Sequence, residues 1–394
     1  MESAASHPQS SILASRRILV RGVNWLGDAV MTTPALMRLR ARFPDAHITL
    51  LTPDKLQQLW EHHPAVDTTI PFTKDEGLFA ISRKLRAGRF DLALVLPNSP
   101  RSAMEVFFAG IPQRTGLARP WRNFFLTEAV APRAEAVKMR KRSVEEINRL
   151  VAAEASSLRP SPFALRPSPF ALRPSPSVLL PSPAHQMHEY LHLAAALGAS
   201  LQPGAPQLFV TPEEMEAAKK KFGLDKITQP VFGLNPGAEY GPAKRWPIRN
   251  FVPAAQGIQQ RTGCAWILFG GKADIAAANQ IQTALPQATV FNLAGATSLR
   301  ELMALLKICR VLLTNDTGPM HVAAALGTPV VVPFGSTSPE LTGPGLPGDP
   351  RHRLIKSDAP CSPCFLRECP IDFRCMNGIS VERVVEAVLA AQSR

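Results

Sequence analysis

Short, wholly apolar runs alternate along this chain with longer stretches whose apolar positions recur at helical spacing. RILVR (17–21), HITLL (47–51) and LALVL (92–96), with a weaker run at 67–71, read as buried strands separated by amphipathic helices. Thr33 followed by Pro34 predicts a helix over 34–43, with threonine as its cap and proline in its first turn. From residue 231 the alternation restarts with VFGL (231–234), AWILF (265–269), TVFNL (289–293), VLLT (311–314) and VVVPF (330–334). Strands that are apolar on both faces must be covered on both faces. The pattern therefore predicts an α/β protein with two doubly wound, Rossmann-like parallel-sheet units.

Between the units the pattern breaks. Ser143-Val144-Glu145-Glu146 is a capping box that opens a helix expected to run to about Ala153. LRPSPFA at 158–164 then recurs at 165–171, and LRPSPS follows at 172–177. Proline at that density removes amide donors and fixes an extended backbone, so about 155–184 reads as a polyproline-like insertion that builds no core. A PxxP-type docking segment is the functional alternative to a tolerated loop expansion. A helix is expected over 185–197 and a linker at 203–206. The organisation predicted is thus a first domain over 16–205, a second over 206–380, and a C-terminal helix within 381–394 that packs back across the first.

Composition narrows the picture only a little. The chain has 394 residues, 45% hydrophobic and 19% charged, as expected of a folded globular protein large enough for two cores. Its 44 Lys and Arg against 31 Asp and Glu give a net charge of +13, which favours anionic partners. Residues 1–15 lack the apolar stretch of a secretion signal, and no apolar run is long enough to span a bilayer. Six cysteines in so long a chain fit a reducing cytoplasm better than a disulfide scaffold.

Candidate chemistry gathers where predicted strands run into helices, the place at which open parallel sheets hold ligands. TNDTGPMH (314–321) supplies Asp316, the Thr317 hydroxyl, a side-chain-free Gly318 and His321 beside unpaired helix-start amides, a combination suited to a diphosphate and an adjoining hydroxyl-rich group. NPGAEYGPAKRWP (235–247) places Lys244 and Arg245 where a cation can neutralise a leaving phosphate. GVNWLGDAV (22–30) is not a GxGxxG fingerprint, but its Asp28 stands near a helix start as a candidate general base. Each of these side chains alone also fits a plain helix-capping or packing role.

Taken together, NWLGDAVMTTPAL, NPGAEYGPAKRWP and TNDTGPMHVAAALGTPVVVPFG resemble the motif set of the ADP-heptose:lipopolysaccharide heptosyltransferases, over roughly residues 16–394 apart from the repeat. The resemblance implies the GT-B architecture, two such units facing a cleft, with acceptor on the first and nucleotide-sugar on the second. It implies an inverting transfer of L-glycero-D-manno-heptose from ADP-heptose to the first heptose of a lipid A-Kdo-heptose acceptor. Asp28 matches the family's base and Lys244 its phosphate-binding lysine. Asp316, Thr317, Gly318 and His321 then belong to the donor, Gly270, Gly271 and Asp274 to its nucleoside end, and Asn98 to the acceptor.

No cofactor is required for that chemistry, because the lysine and amides can carry the leaving charge. Cys361, Cys364, Cys369 and Cys375, spaced C-x2-C-x4-C-x5-C, are compatible with a structural zinc or an iron–sulfur cluster, and equally with reduced buried thiols. The basic charge fits a cytoplasmic enzyme held peripherally at the inner face of the inner membrane. Two other readings compete: a nucleotide-sugar epimerase of similar architecture, and a nucleic-acid-binding protein built on Lys138–Arg142. No nucleic-acid-binding signature accompanies the charge, so nucleic acid is not expected as a partner.

Overall fold

The computed structural model describes residues 16–157, 182–286 and 289–392. The first unit opens with β1 (Arg17–Arg21), α1 (Leu26–Arg42), β2 (His47–Pro53) and β3 (Thr68–Phe72). It continues through α2 (Leu78–Ala87), β4 (Leu92–Val95), α3 (Pro100–Phe108), β5 (Gln113–Leu117) and β6 (Glu128–Val130). Its six strands are all parallel, in the order β3-β2-β1-β4-β5-β6. Then come α4 (Val144–Ser157), α5 (Met187–Ala195) and α6 (Pro212–Lys221).

The second unit contains β7 (Val231–Asn235), α7 (Ile248–Thr262), β8 (Ala265–Leu268), α8 (Ile275–Thr283), β9 (Val290–Asn292) and α9 (Leu299–Ile308). After these follow β10 (Leu312–Thr314), α10 (Gly318–Ala325), β11 (Val330–Phe334), α11 (Pro339–Thr342), β12 (Arg353–Lys356), α12 (Arg374–Asn377) and α13 (Val381–Gln392). Its sheet is also six-stranded and parallel, in the order β12-β11-β10-β7-β8-β9. In each sheet the chain reverses its winding direction at one place, between β1 and β4 in the first and between β10 and β7 in the second. Those are the two crevices in which a doubly wound sheet binds ligands.

Buried apolar side chains join the units. One cluster runs from α1 (Leu36, Leu39) and α5 (Leu191) into the second unit (Met303, Leu306, Met320, Val332), whereas α2 and α3 cover the far side of the first sheet with a separate core of Ile81, Leu85, Ala103 and Val106. Helix α5 packs on α1 and α6 packs on α9, so the chain passes between units over 196–211. Helix α10 also lies directly on α1.

Several sequence expectations need correction. The helix expected to begin at Pro34 begins eight residues earlier, at Leu26, with Pro34 in its interior. Pro34 has no N–H for the Val30 carbonyl, and the buried Thr33 hydroxyl donates to that oxygen instead at 2.9 Å. Helix α4 runs on to Ser157, and Ser182–Ala184 forms a 3-10 turn, so both ends of the stretch read as insertion are ordered. The rest of that expectation falls on 158–181, outside the described residues. Helix α13 does not cross onto the first unit. It buries Val384, Val385 and Val388 with Phe251 and Ile258 of α7 on the second; an amphipathic helix leaves open which apolar face it will meet.

Candidate active site

Two corners build the cleft. At the end of β1, Arg21 is buried and ion-paired with Glu105 at 2.9 Å, while its Nη1 donates to Asn24 Oδ1 at 2.9 Å, which shapes the turn into α1. Asp28 lies in the first turn of that helix. At the end of β10, Asn315 clamps the neighbouring loop: its Nδ2 donates to the Pro236 carbonyl at 2.7 Å and its Oδ1 accepts the Trp246 amide at 2.9 Å. Across the switch point, Asn235 donates to the Thr314 hydroxyl at 3.0 Å. The loop carrying Lys244 is therefore fixed to the loop carrying Asp316.

The corners meet at two residues that lack side chains, Gly27 and Gly318. A Cβ on Gly27 would stand 2.7 Å from His321 Cδ2, and one on Gly318 would stand 2.8 Å from Leu26 Cδ2. Glycine at both positions is what lets α1 and α10 approach so closely. Next to this contact lies a cavity of 460 Å³ whose walls include Asp28, Lys244, Asp316, Thr317, Gly318 and His321. A second cavity, of 680 Å³, lies on the first unit, with Asn98, Arg119, Arg133 and Lys138 in its walls. Asp28 lines both, together with Trp25, Met139 and Gln186.

The electrostatics differ from wall to wall. Burial pushes the Asp28 carboxyl up to about 6, against the opposing effects of a 3.1 Å hydrogen bond from the Gln186 amide and the nearby Lys244 charge. Gln186 also donates to the Tyr190 hydroxyl at 2.9 Å, which fixes its amide. Asp316 is buried; its Oδ2 accepts from Lys244 Nζ at 2.7 Å and from the Thr337 hydroxyl at 2.6 Å. The Lys244 ammonium also stands 5.1 Å from the Tyr240 ring centroid. Burial lowers His321 to about 4, so its imidazole is neutral at physiological pH. Thr317 is the N-cap of α10, yet its side chain makes no capping hydrogen bond, which leaves the hydroxyl to the cavity.

The structure thus brings together Asp28, Lys244, Asp316, Thr317, Gly318 and His321, and sets Asn98 in the adjoining chamber. Gly270, Gly271 and Asp274 are not in the wall of either cavity. The Asp274 carboxylate is engaged by its own loop, accepting the Gly271 amide at 3.0 Å, pairing with Arg245 at 3.6 Å and resting against Gly237. Sequence reasoning missed Gln186, Thr337, Asn235 and Asn315. Side chains that act on other side chains across the fold leave no local pattern.

Of the four clustered cysteines, Cys361, Cys364 and Cys375 are buried, and Cys361 and Cys364 pack with Ile147 of α4. Arg142 reinforces this seam by donating to the Cys364 and Pro360 carbonyls at 3.0 Å each. Burial and the other thiols raise Cys375 to about 12. Among the described residues no group of three or more His, Cys, Asp or Glu side chains is disposed to hold a metal ion. No helix among them is long and apolar enough to cross a membrane.

The sequence model of glycosyltransferase family 9 (heptosyltransferase) matches residues 78–155 and 174–373, with a break across most of the repeat. The chain is 34% identical over 344 residues to lipopolysaccharide heptosyltransferase 2 of Escherichia coli K12, covering 83% of this chain and 85% of that one. It is 32% identical to lipooligosaccharide heptosyltransferase 2 of Haemophilus ducreyi, over 83% and 86% of the two chains. The solved structure of the E. coli ADP-heptose lps heptosyltransferase II superimposes with a TM-score of 0.73 at 30% identity, covering 96% of this chain and 98% of that one.

Proposed function

The chain belongs to glycosyltransferase family 9, the heptosyltransferases, and from that premise we propose that it transfers L-glycero-D-manno-heptose from ADP-heptose to the first heptose of a lipopolysaccharide inner core. One observation carries the mechanism: Asp28 stands in the wall of both chambers, and Lys244 and Thr317 line only the second. The donor occupies the chamber of Lys244 and Thr317, and the acceptor that of Asn98. The acceptor oxygen bonds to the anomeric carbon while Asp28 takes its proton. The carbon–oxygen bond to ADP breaks on the opposite face, and its electron pair leaves on the diphosphate. One displacement of this kind inverts the anomeric centre.

A carboxyl near pH 6 is ionised at neutral pH yet basic enough to accept a proton as the bond forms. Lys244 exchanges Asp316 for the diphosphate, with the Thr317 hydroxyl and the amides at the start of α10 completing the anion site. Asp316, released from Lys244, turns to the hydroxyls of the sugar. These groups carry the leaving charge, so the reaction needs no metal, and the cysteine loop is a structural seam of reduced thiols. The enzyme works in the cytoplasm at the inner face of the inner membrane, where its lipid-anchored acceptor lies.

The chain incubated with ADP-heptose, with and without a heptose-Kdo-lipid A acceptor, tests this reading. ADP release that requires acceptor, and is unaffected by EDTA, is expected. Isomerisation of the donor without acceptor would instead establish the epimerase, a reading disfavoured by the transferase relatives and by a second chamber for which an isomerase has no use. Elemental analysis of the purified chain checks the cysteine loop, with less than one equivalent of zinc or iron expected.

A further inference from the structure

The outer face of the first unit exposes aromatic rings that no part of the described chain covers. Phe79 is 71% exposed, Phe124 80% and Trp121 90%. Phe79 and Phe124 belong to a connected group. Phe79 packs on Phe108 with centroids 5.4 Å apart, Phe108 on Phe107 at 5.4 Å, and Phe107 on Phe124 at 5.9 Å. Helices α2 and α3, which carry part of the group, cover the sheet face opposite α1 and therefore face away from the second unit.

Guanidinium groups accompany the rings. Arg83 and Arg86 follow Phe79 by one and two helical turns on the same side of α2, and Arg114 stands 5.3 Å from the Phe107 ring centroid. The acids of residues 78–127 are Asp91 and Glu105. Glu105 is buried between Arg21 and Arg101, and Asp91 accepts the backbone amides of Arg16 and Arg17. Trp121 is presented at a cost: it is held at φ 65°, a left-handed conformation that bulky residues avoid. The Asn123 side chain secures that turn by accepting the Arg119 amide at 2.9 Å. Arg119 itself lines the acceptor chamber, so the exposed tryptophan stands two residues from the chamber wall.

We infer that this aromatic–arginine face docks the enzyme onto an anionic lipid bilayer, with Trp121 and Phe124 entering the headgroup region and Arg83 and Arg86 facing lipid phosphates. The inference extends the proposed function, since it sets the chamber beside the surface from which a lipid-anchored acceptor arrives. Amphipathic rings flanked by arginine suit that interface, where apolar insertion and attraction to anionic headgroups add together. A protein partner would find apolar rings here too. The chain's excess positive charge, and the exposed Arg83 and Arg86 beside the rings, favour a phosphate-rich surface.

Flotation of the full chain with vesicles tests this directly. Binding is expected to vesicles of phosphatidylcholine with phosphatidylglycerol, to weaken as salt rises, and to be far lower on phosphatidylcholine alone. Trp121→Ser with Phe124→Ser should lower the partition coefficient about tenfold or more per ring removed. Transfer to a soluble, deacylated acceptor should stay within about twofold, because both positions are exposed and outside the chambers. Equal flotation of wild type on both vesicle types, or of the double variant and wild type on anionic ones, would overturn the inference. So would a wild-type dimer that the double variant dissociates while flotation is unchanged. Flotation is read without turnover, so the expected pattern in a chain that fails to transfer heptose would refute the proposed function and leave the docking face standing.

Discussion

Two aspartates line the same cleft, each following a strand next to the winding switch of its sheet, and their surroundings differ. Asp28 receives a neutral amide from Gln186, and burial raises its carboxyl to about 6. Asp316 receives an ammonium and a hydroxyl on one oxygen, from Lys244 at 2.7 Å and Thr337 at 2.6 Å. A carboxylate whose one hydrogen-bond donor here is a neutral amide, and whose burial outweighs a more distant ammonium, is poised to take a proton. One that holds an ammonium at 2.7 Å keeps the lysine in place. The comparison teaches that residue type and topological position select the candidates, and that the nearest partner selects the role.

Breaking the first corner has the largest expected effect. Asp28→Asn should lower kcat by about a thousandfold with ADP affinity nearly unchanged, and the wild-type rate should fall below a break near pH 6 as the carboxyl protonates. Near-normal turnover in the variant would remove Asp28 as the base. Breaking the second corner with Lys244→Ala should cost about a hundredfold in kcat/KM and weaken ADP binding as well, measured by initial rates and calorimetry. If ADP affinity were untouched, the lysine would not be the phosphate ligand.

Two smaller effects sharpen the contrast. Gly27→Ala drives a methyl group to within 2.7 Å of His321, which should destabilise the fold by about 1–3 kcal/mol in denaturant titrations. Combining it with His321→Ala should recover much of that loss, and simple additivity would show that the two do not meet. Asp28→Asn should also stabilise. The folded carboxyl titrates near 6 and an unfolded one near ~3.9, so the fold loses stability as pH rises through that window. Discounted for its partial exposure, the gain from asparagine should be about 1–2 kcal/mol at pH 8, vanish near pH 4, and appear as a few degrees in Tm.

The sheets were legible because their strands are apolar without interruption. VVVPF coincides with β11, and the bounds Val381–Gln392 coincide with α13. Legibility failed where two rules compete. Pro34 is a sound marker of a helix start, but a buried threonine hydroxyl satisfies the carbonyl it strands, so the helix begins earlier and Asp28 stands within its first turn. The residues of the cleft were legible through their corner motifs, since Asp28, Lys244 and Asp316 each sit in a strand-to-helix turn. Their partners were not. Gln186 reaches Asp28 from 158 residues away, and Thr337 reaches Asp316 from a strand later. Asp274 was read in sequence as a residue that could reach the ribose; a nearby arginine and its own loop's amide claim it.

The glycine contact between α1 and α10 has an electrical corollary. Both helices present their starts at that point, and each start carries roughly half a positive elementary charge from aligned peptide dipoles. Without a guest, the two halves of the enzyme confront each other with like polarity. A doubly charged pyrophosphate bound beside both starts, as the proposed donor site requires, would turn mutual repulsion into shared attraction and act as an electrostatic rivet between the two lobes.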